Sequence, residues 1–325
     1  MSQAVHASGE GTLRLSVIIP TYNRAPVLDK CLAALAHQTV PAGEFEVIVA
    51  DDGSSDETRA TASHWAAVNS HFRYTHQPNS GANAARNRAL AAARGEIVLL
   101  INDDVLATPQ MLAEHLAAHD RYPAIHLACL GRVTASPSLP WTRLTWLHLD
   151  RAFDGLQEDA ELDWRAFFTC NVSLKKRLAA AAGGFEEGIR YHEDLEFSER
   201  LSRHGLRIIY RPRALGYHDH FLTEEEFLRT AKREATALAV WARKAPHLHS
   251  VLGELGFEPG LPASRRIGHR ALGLAINGTT IPFWMWTARR CPERVAHKVY
   301  GKVYQAVRGT ALRTELRRAQ FSESA

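Results

Sequence analysis

Glu96-Ile97-Val98-Leu99-Leu100-Ile101-Asn102-Asp103-Asp104 runs from five consecutive apolar residues straight into an amide and two carboxylates. An apolar run of this length, bounded by polar residues, predicts a strand buried on both faces. Open α/β sheets bind ligands at the carboxyl ends of their strands, so this tip delivers acids to such a place. In an extended chain Asn102 and Asp104 point to one side and Asp103 to the other. Hard oxygen donors there suit a divalent cation carrying a diphosphate. A solvated turn after a core strand can carry the same residues, so the stretch by itself leaves both readings open.

The flanking sequence repeats the pattern. Leu15 to Ile19 predicts a first strand ended by Pro20, and Thr21-Tyr22-Asn23-Arg24 predicts a polar turn. A helix follows, with Val27, Leu28, Cys31, Leu32 and Leu35 on one face. Phe45 to Ala50 predicts a second strand that again ends in acids, Asp51 and Asp52, before Gly53. Ser54 and Glu57 have capping-box spacing, so a helix is expected to start there. Phe72 to Thr75 reads as a short third strand and Asn79-Ser80-Gly81 as a turn. Ala82 to Ala93 reads as an alanine-rich helix closed by Gly95. This alternation predicts a parallel sheet covered on both sides. Two strand ends carrying acids to one sheet edge favour a ligand site, because a turn needs only one such residue.

Pro20-Thr21-Tyr22-Asn23-Arg24, Val49-Ala50-Asp51-Asp52-Gly53-Ser54-Ser55-Asp56, Ala85-Arg86-Asn87 and the acidic tip resemble, in order and spacing, glycosyltransferase family two. The resemblance covers about Leu13 to Phe221 and implies an α/β fold of the GT-A type, a mixed sheet flanked by helices. It implies a nucleotide-binding half over about 13–107, an acceptor half over about 108–221, and a C-terminal helical extension over 222–325. The implied reaction is inverting transfer of a sugar from a nucleotide-diphosphate donor, such as a UDP-sugar, to an acceptor hydroxyl, with Mn2+ or Mg2+ as cofactor. By the same resemblance Pro20, Thr21, Tyr22, Asn23 and Arg24 belong to the nucleotide-binding segment, with Thr21 and Tyr22 lining the nucleoside pocket. Asp52 accepts a hydrogen bond from the base, Arg86 lies near the nucleotide, Asp103 near the ribose and sugar, and Asp104 binds the metal. Asn102 stands where many relatives carry Asp, which removes one charge from the cation site; it is counted here among the donor-binding residues.

Thr108-Pro109 reads as an N-cap with proline at the first helical position. The helix is expected to reach about His119 and to bury Met111, Leu112, His115 and Leu116. Ile125 to Leu130 reads as another strand. Residues 134–163 are poorly periodic and read as a loop, whose tryptophans can stack on sugars or pack on the core. Phe167 to Leu174 resembles the family's strand beneath the donor sugar, and Gly183-Gly184-Phe185-Glu186-Glu187 its Gly-Gly-Phe-acid turn. Tyr191-His192-Glu193-Asp194-Leu195-Glu196-Phe197 resembles its Glu-Asp motif at a helix start. That makes Asp194 the general base, with Glu193 beside it, although acids in a first turn also answer the helix dipole. Leu206 to Tyr210 reads as a late strand. His218 matches a position that completes the metal site in related enzymes, and a neutral imidazole suits that role.

Thr223 and Glu226 form another capping box, with a helix expected to about Lys244 and a linker over Pro246 to Pro262. Between Arg265 and Arg318, twelve basic residues face only Glu293 and Glu315, an excess of ten. Ala271 to Ala288 is mostly apolar, but Asn277-Gly278-Thr279-Thr280 interrupts it, which argues against a membrane-crossing helix. Basic flanks beside Trp284 and Trp286 fit an anionic membrane surface as partner; a helical hairpin packed on the catalytic domain fits equally well.

The chain has 325 residues, 46% hydrophobic and 23% charged, ample for one large domain with an appendage. A net charge of +4 does not call for nucleic acid. Cys31, Cys129, Cys170 and Cys291 are too scattered for a zinc site or disulfide framework. Met1 to Thr12 lacks a charged segment followed by an apolar one, so the expectation is a cytoplasmic enzyme, peripheral at the inner membrane face. The acceptor class stays open among a carbohydrate, a lipid-linked sugar and a small molecule. Two competing functions remain. Joint presence of Asp52, Asp104 and Asp194 counts against a catalytically silent carbohydrate-binding or scaffold protein. The lack of glycine after the first strand counts against a sugar nucleotidyltransferase.

Overall fold

In the computed structural model, which describes residues 12–254 and 257–322, strands and helices alternate as far as the acidic tip. The order is β1 Leu15–Thr21, α1 Ala25–Ala36, β2 Phe45–Asp51, α2 Thr58–Val68, β3 Phe72–His76, α3 Ala82–Ala92 and β4 Ile97–Ile101. There follow β5 Val105–Ala107, α4 Met111–Arg121, β6 Leu127–Ala135, α5 Arg143–His148, β7 Glu161–Leu162, β8 Asn171–Lys175 and α6 Lys176–Ala181. The chain continues with α7 Glu193–Ser202, β9 Arg207–His218, α8 Glu224–Lys244, α9 His249–Glu254, α10 Ala263–Ala275, α11 Ile281–Arg290 and α12 Glu293–Ser322. Two compact units result: 12–136, 155–187 and 197–219 form the first, and 137–154, 188–196 and 220–322 the second, with the undescribed residues left aside.

The first unit holds one sheet in the order β3-β2-β1-β4-β8-β6-β9-β5, with β7 also on β9. β3, β2, β1 and β4 are mutually parallel, as the alternation predicts. β8 then runs antiparallel between β4 and β6, which makes the sheet mixed. Every residue of β1, β2 and β4 is buried, which is why these strands read as unbroken apolar runs.

Several boundaries differ from the sequence expectation, because side chains expected to cap helices are recruited by spatial neighbours. The Ser54 hydroxyl accepts from Asn23 N at 2.8 Å, so α2 starts only at Thr58, whose N–H donates to Asp56 at 3.0 Å. The Thr108 amide and hydroxyl both donate to Leu215 O, at 3.0 and 2.9 Å, and α4 starts at Met111 instead. Gly95 does not close α3, whose C-cap is Ala93; a Cβ on Gly95 would lie 2.8 Å from the Leu15 carbonyl carbon, so glycine permits a close approach of two strands. The late strand β9 extends through to His218 rather than stopping at Tyr210.

In the second unit α8 runs to Lys244 as expected, with Thr223 Oγ1 accepting from Glu226 N at 3.1 Å. The expected loop over 134–163 contains α5, capped by Thr142 and Thr145, and the short strand β7 in the first unit. The expected linker contains α9. The long apolar stretch divides into α10 and α11 around Asn277, whose Oδ1 accepts from Thr279 N at 3.0 Å. Phe227, Ala231, Met285, Tyr300 and Val303 share one apolar cluster; Leu238, Trp241, Leu252 and Leu312 share another. Among the described residues no helix is long and apolar enough to cross a membrane.

Candidate active site

The site of the first unit grows from the end of β4. Asn102, Asp103 and Asp104 follow Ile101 directly, and β5 departs at Val105. β5 pairs antiparallel with β9, Val105 opposite His218, which sets the imidazole beside the acid one residue earlier. His218 Nε2 lies 3.5 Å from Asp104 Oδ1, with both residues buried, and Asp219 N donates to the Asp104 carbonyl at 2.7 Å. The neighbouring strand end supplies Thr21, whose hydroxyl donates to Asp103 Oδ2 at 2.7 Å. Arg24 spans the pair, 3.0 Å from Asp103 Oδ1 and 2.9 Å from Asp104 Oδ2. Two adjacent buried carboxylates are tolerable because one guanidinium faces both. Burial pushes the Asp103 carboxyl up, Arg24 draws it back and the Asp104 charge adds to the rise, leaving it at about 6.

Around this cluster lie the other residues of the resemblance. Asn23 has φ of 52°, in the left-handed region that asparagine tolerates, and its Oδ1 accepts from Ser55 N at 2.7 Å. The turn after β1 is thereby tied to the loop after β2. Asp52 is buried; it accepts from Gln77 Nε2, Ser80 N and Gly81 N, each at 2.8 Å. Pro20 is buried within β1, opposite Ala50, while Tyr22 is exposed. Arg86 donates to Asn83 Oδ1 at 2.9 Å, reaches Asn102 Oδ1 at 3.4 Å and lies over the Phe185 ring. Asn102 also donates to Cys170 Sγ at 3.1 Å.

Thr21, Arg24, Asp103, Asp104 and His218 thus form one contact cluster; Arg86 and Asn102 form another, and Asp52 organises its own loop. Sequence reasoning missed the support beneath them. His115 bonds Ser173 Oγ at 2.9 Å and Asn171 Oδ1 at 2.8 Å, and His119 reaches the same Ser173 hydroxyl at 2.9 Å. Asn171 in turn donates to Ala214 O at 2.7 Å. Burial holds both imidazoles neutral, His115 down to about 4 and His119 to about 3. The sequence signal was a pair of histidines four apart on an otherwise apolar helix face.

Glu193 and Asp194 open α7 within the second unit. Asp194 Oδ1 accepts from Leu195 N at 2.8 Å. His192, just before them, has φ of 58°, and its Nε2 lies 3.5 Å from Glu234 Oε2, which also pairs with Arg308 at 3.0 Å. Burial opposes ionisation of Glu234, but His192, Arg308 and Tyr304 outweigh it and hold the carboxyl down to about 2.

Among the described residues no three His, Cys, Asp or Glu side chains group to hold a metal by themselves. Asp104 and His218 offer one oxygen and one nitrogen donor side by side. Mg2+-type sites routinely take one or two protein ligands and complete the shell with substrate phosphates and water, so this donor pair fits such an ion.

A mixed sheet flanked by helices is the architecture of the GT-A glycosyltransferases. The chain belongs to glycosyl transferase family 2, which matches residues 16–178. It is 33% identical over 220 residues to validoxylamine A glucosyltransferase of Streptomyces hygroscopicus subsp. jinggangensis, covering 59% of this chain and 52% of that protein. The chain thus spans about half the length of that relative. The mannosyltransferase PcManGT from Pyrobaculum calidifontis, solved with GDP-Man and Mn2+, is similar with a TM-score of 0.59 and 21% identity over 92% of this chain and 88% of that one. TarS of S. aureus, solved with UDP-GlcNAc, is similar with a TM-score of 0.55 and 20% identity over 93% and 91%. At these identities the two structures show a shared fold.

Proposed function

We propose that this chain transfers a sugar from a nucleotide-diphosphate donor to an acceptor hydroxyl, with inversion. The observation that carries the reading is the buried strand tip where Asp103, Asp104, Arg24, Thr21 and His218 converge. Support comes from the GDP-Man, Mn2+ and UDP-GlcNAc of the two structural neighbours and from the named activity of the glucosyltransferase relative. In this reading residues 13–221 carry the reaction and 222–325 form an extension.

Asp104 and His218 would hold Mn2+ or Mg2+, which when bound neutralises the charge developing on the leaving diphosphate. Thr21 and Tyr22 line the nucleoside pocket, with Pro20, Asn23 and Arg24 shaping its wall. Asp52 already accepts three hydrogen bonds, and a carboxylate with about four acceptor sites has one left for the base. Arg86 and Asn102 face the donor, and Asp103 orients ribose and sugar hydroxyls. Asp194 takes the proton of the acceptor hydroxyl as that oxygen attacks the anomeric carbon, and Glu193 steadies the helix start. One displacement inverts the centre, with no carboxylate nucleophile of the retaining kind. A positioned base of this type contributes roughly 100- to 10,000-fold. The acceptor is a carbohydrate, a lipid-linked sugar or a small molecule, and the basic extension brings the enzyme to the inner, anionic face of a membrane.

A thermal-shift screen of UDP- and GDP-sugars with Mn2+ or Mg2+ tests the reading. A true donor at 100 times its dissociation constant adds about 2.7 kcal/mol of stability. No stabilisation by any nucleotide-sugar, or binding without release of nucleotide, identifies a silent scaffold instead.

A further inference from the structure

Within the extension, the end of α10, α11 and the start of α12 enclose an open slot of about 260 Å³. Leu272, Ile276, Trp284 and Val299 line it together with the stems of Lys298 and Lys302, both exposed and one helical turn apart; Lys302 Nζ donates to Gln305 Oε1 at 3.2 Å. Apolar side chains stand in solvent on the same elements: Leu274 is 79% exposed, Phe283 60% and Trp286 48%. The Phe283 and Trp286 rings stack, and the Arg290 guanidinium covers Trp286. None of the α10 residues is buried, and Ile267, Ala271 and Leu274 form an outward apolar stripe. An exposed patch of this kind marks a binding surface.

Charge selects the occupant. The segment from Arg265 to Arg318 carries an excess of ten positive charges, of which Glu224, Glu234 and Glu258, paired with Arg289, Arg308, Arg270 and Arg313, offset three and leave seven. A nucleic acid would use the charge but leave the apolar slot idle, and an apolar protein partner would leave the lysines uncompensated. Helices with an apolar stripe, tryptophans and basic flanks lie at the surface of anionic bilayers. We propose that the slot receives an acyl chain of an anionic bilayer phospholipid, with Lys298 and Lys302 on its phosphate, and so docks the extension on the membrane. This inference rests on the membrane partner proposed above and names the place and chemistry of the contact.

Co-sedimentation of the full chain with phosphatidylglycerol–phosphatidylcholine vesicles and with pure phosphatidylcholine vesicles tests it. The wild type should pellet with the first and not the second. Lys298→Glu with Lys302→Glu should weaken binding by about tenfold or more, since each basic residue near an anionic surface contributes measurably. Ala275→Phe, which fills the slot from an exposed position without changing charge, should weaken it by about tenfold as well. Bromine on the acyl chains should quench wild-type tryptophan fluorescence more than that of Trp284→Phe. Undiminished binding by Ala275→Phe, with the lysine variant impaired, would overturn the slot while leaving charge-driven membrane docking in place. Indifference of the wild type to both vesicles would overturn both. A stable dimer that Phe283→Ala with Trp286→Ala dissociates would assign the surface to a second copy and overturn the inference too.

Discussion

The tip of β4 and the helix α10 stand at opposite ends of how a chain uses apolar residues. In β4 every apolar side chain is buried, and the acids that follow are held by Arg24, Thr21 and β9. In α10 none is buried, and leucine and isoleucine face solvent beside arginines. The first arrangement holds polar groups by hydrogen bonds and ion pairs among buried residues, as the proposed chemistry on a diphosphate needs. The second leaves an exposed apolar and basic surface, which suits a bilayer. Burial therefore separates the site proposed to position a donor from the surface proposed to adhere to a membrane.

The largest expected effect falls on turnover. Asp194→Asn keeps size and removes the basic charge, so kcat should fall roughly 100-fold or more with donor affinity little changed. Glu193→Gln should lose less. Steady-state kinetics with the donor found by screening, and a separate binding measurement, check this; near-normal turnover in Asp194→Asn would move the base to another residue.

Stability sharpens the contrast next. Leu100→Ala should cost about 2–5 kcal/mol, because it opens a cavity in a fully buried strand. Leu274→Ala should stay within about 0.5 kcal/mol, because that side chain already meets water. Denaturant melts of both variants decide, and equal losses would erase the distinction between the two regions.

Acid should separate the two units by a smaller margin. His115 and His119 are depressed in the fold to about 4 and about 3, against 6.5 when unfolded. Their contribution is complete above pH 6.5 and is lost as pH falls through those folded values, on the order of 3 kcal/mol for His115 alone. Glu234 in the second unit is depressed to about 2 from 4.5, so its contribution starts to fade only below pH 4.5. His269 and His297 shift the same way as His115 through burial, but are only half-buried. Between pH 6 and 5, hydrogen-exchange protection factors, corrected for the slower intrinsic exchange at lower pH, should fall more in α4 and β8 than in α8; the opposite order would contradict the assignment of neutral buried imidazoles.

What was legible in the sequence follows the same physics. β1, β2 and β4 were readable because burial on both faces leaves a continuous apolar run, and the parallel pairing puts the acids ending β2 and β4 at the same end of the sheet, as expected. Family membership was readable from Pro20 to Arg24 and Asp51 to Asp56, where chain-local turns carry the pattern. The start of α2 was not, because Ser54 answers Asn23, 31 residues away, rather than its own helix. The way His218 reaches Asp104 was not, because it depends on the pairing of β5 with β9 across more than a hundred residues. The His115 network was hidden likewise: the helix face was legible, but its partners Asn171 and Ser173 lie 56 and 58 residues further on. In the extension, composition gave the charge and the helix break, whereas the slot exists only once three helices pack.

The most direct test of the central claim, that the β4 tip is the cation and donor site, is donor binding by Asp104→Ala with and without Mn2+. The residue follows the strand rather than lying within it, so the fold should survive the change. The wild type should bind its nucleotide-sugar tightly only with the cation present, and Asp104→Ala should bind equally weakly with cation or chelator. A wild-type cation response in Asp104→Ala, or full donor binding and turnover by the wild type in excess chelator, would contradict the account.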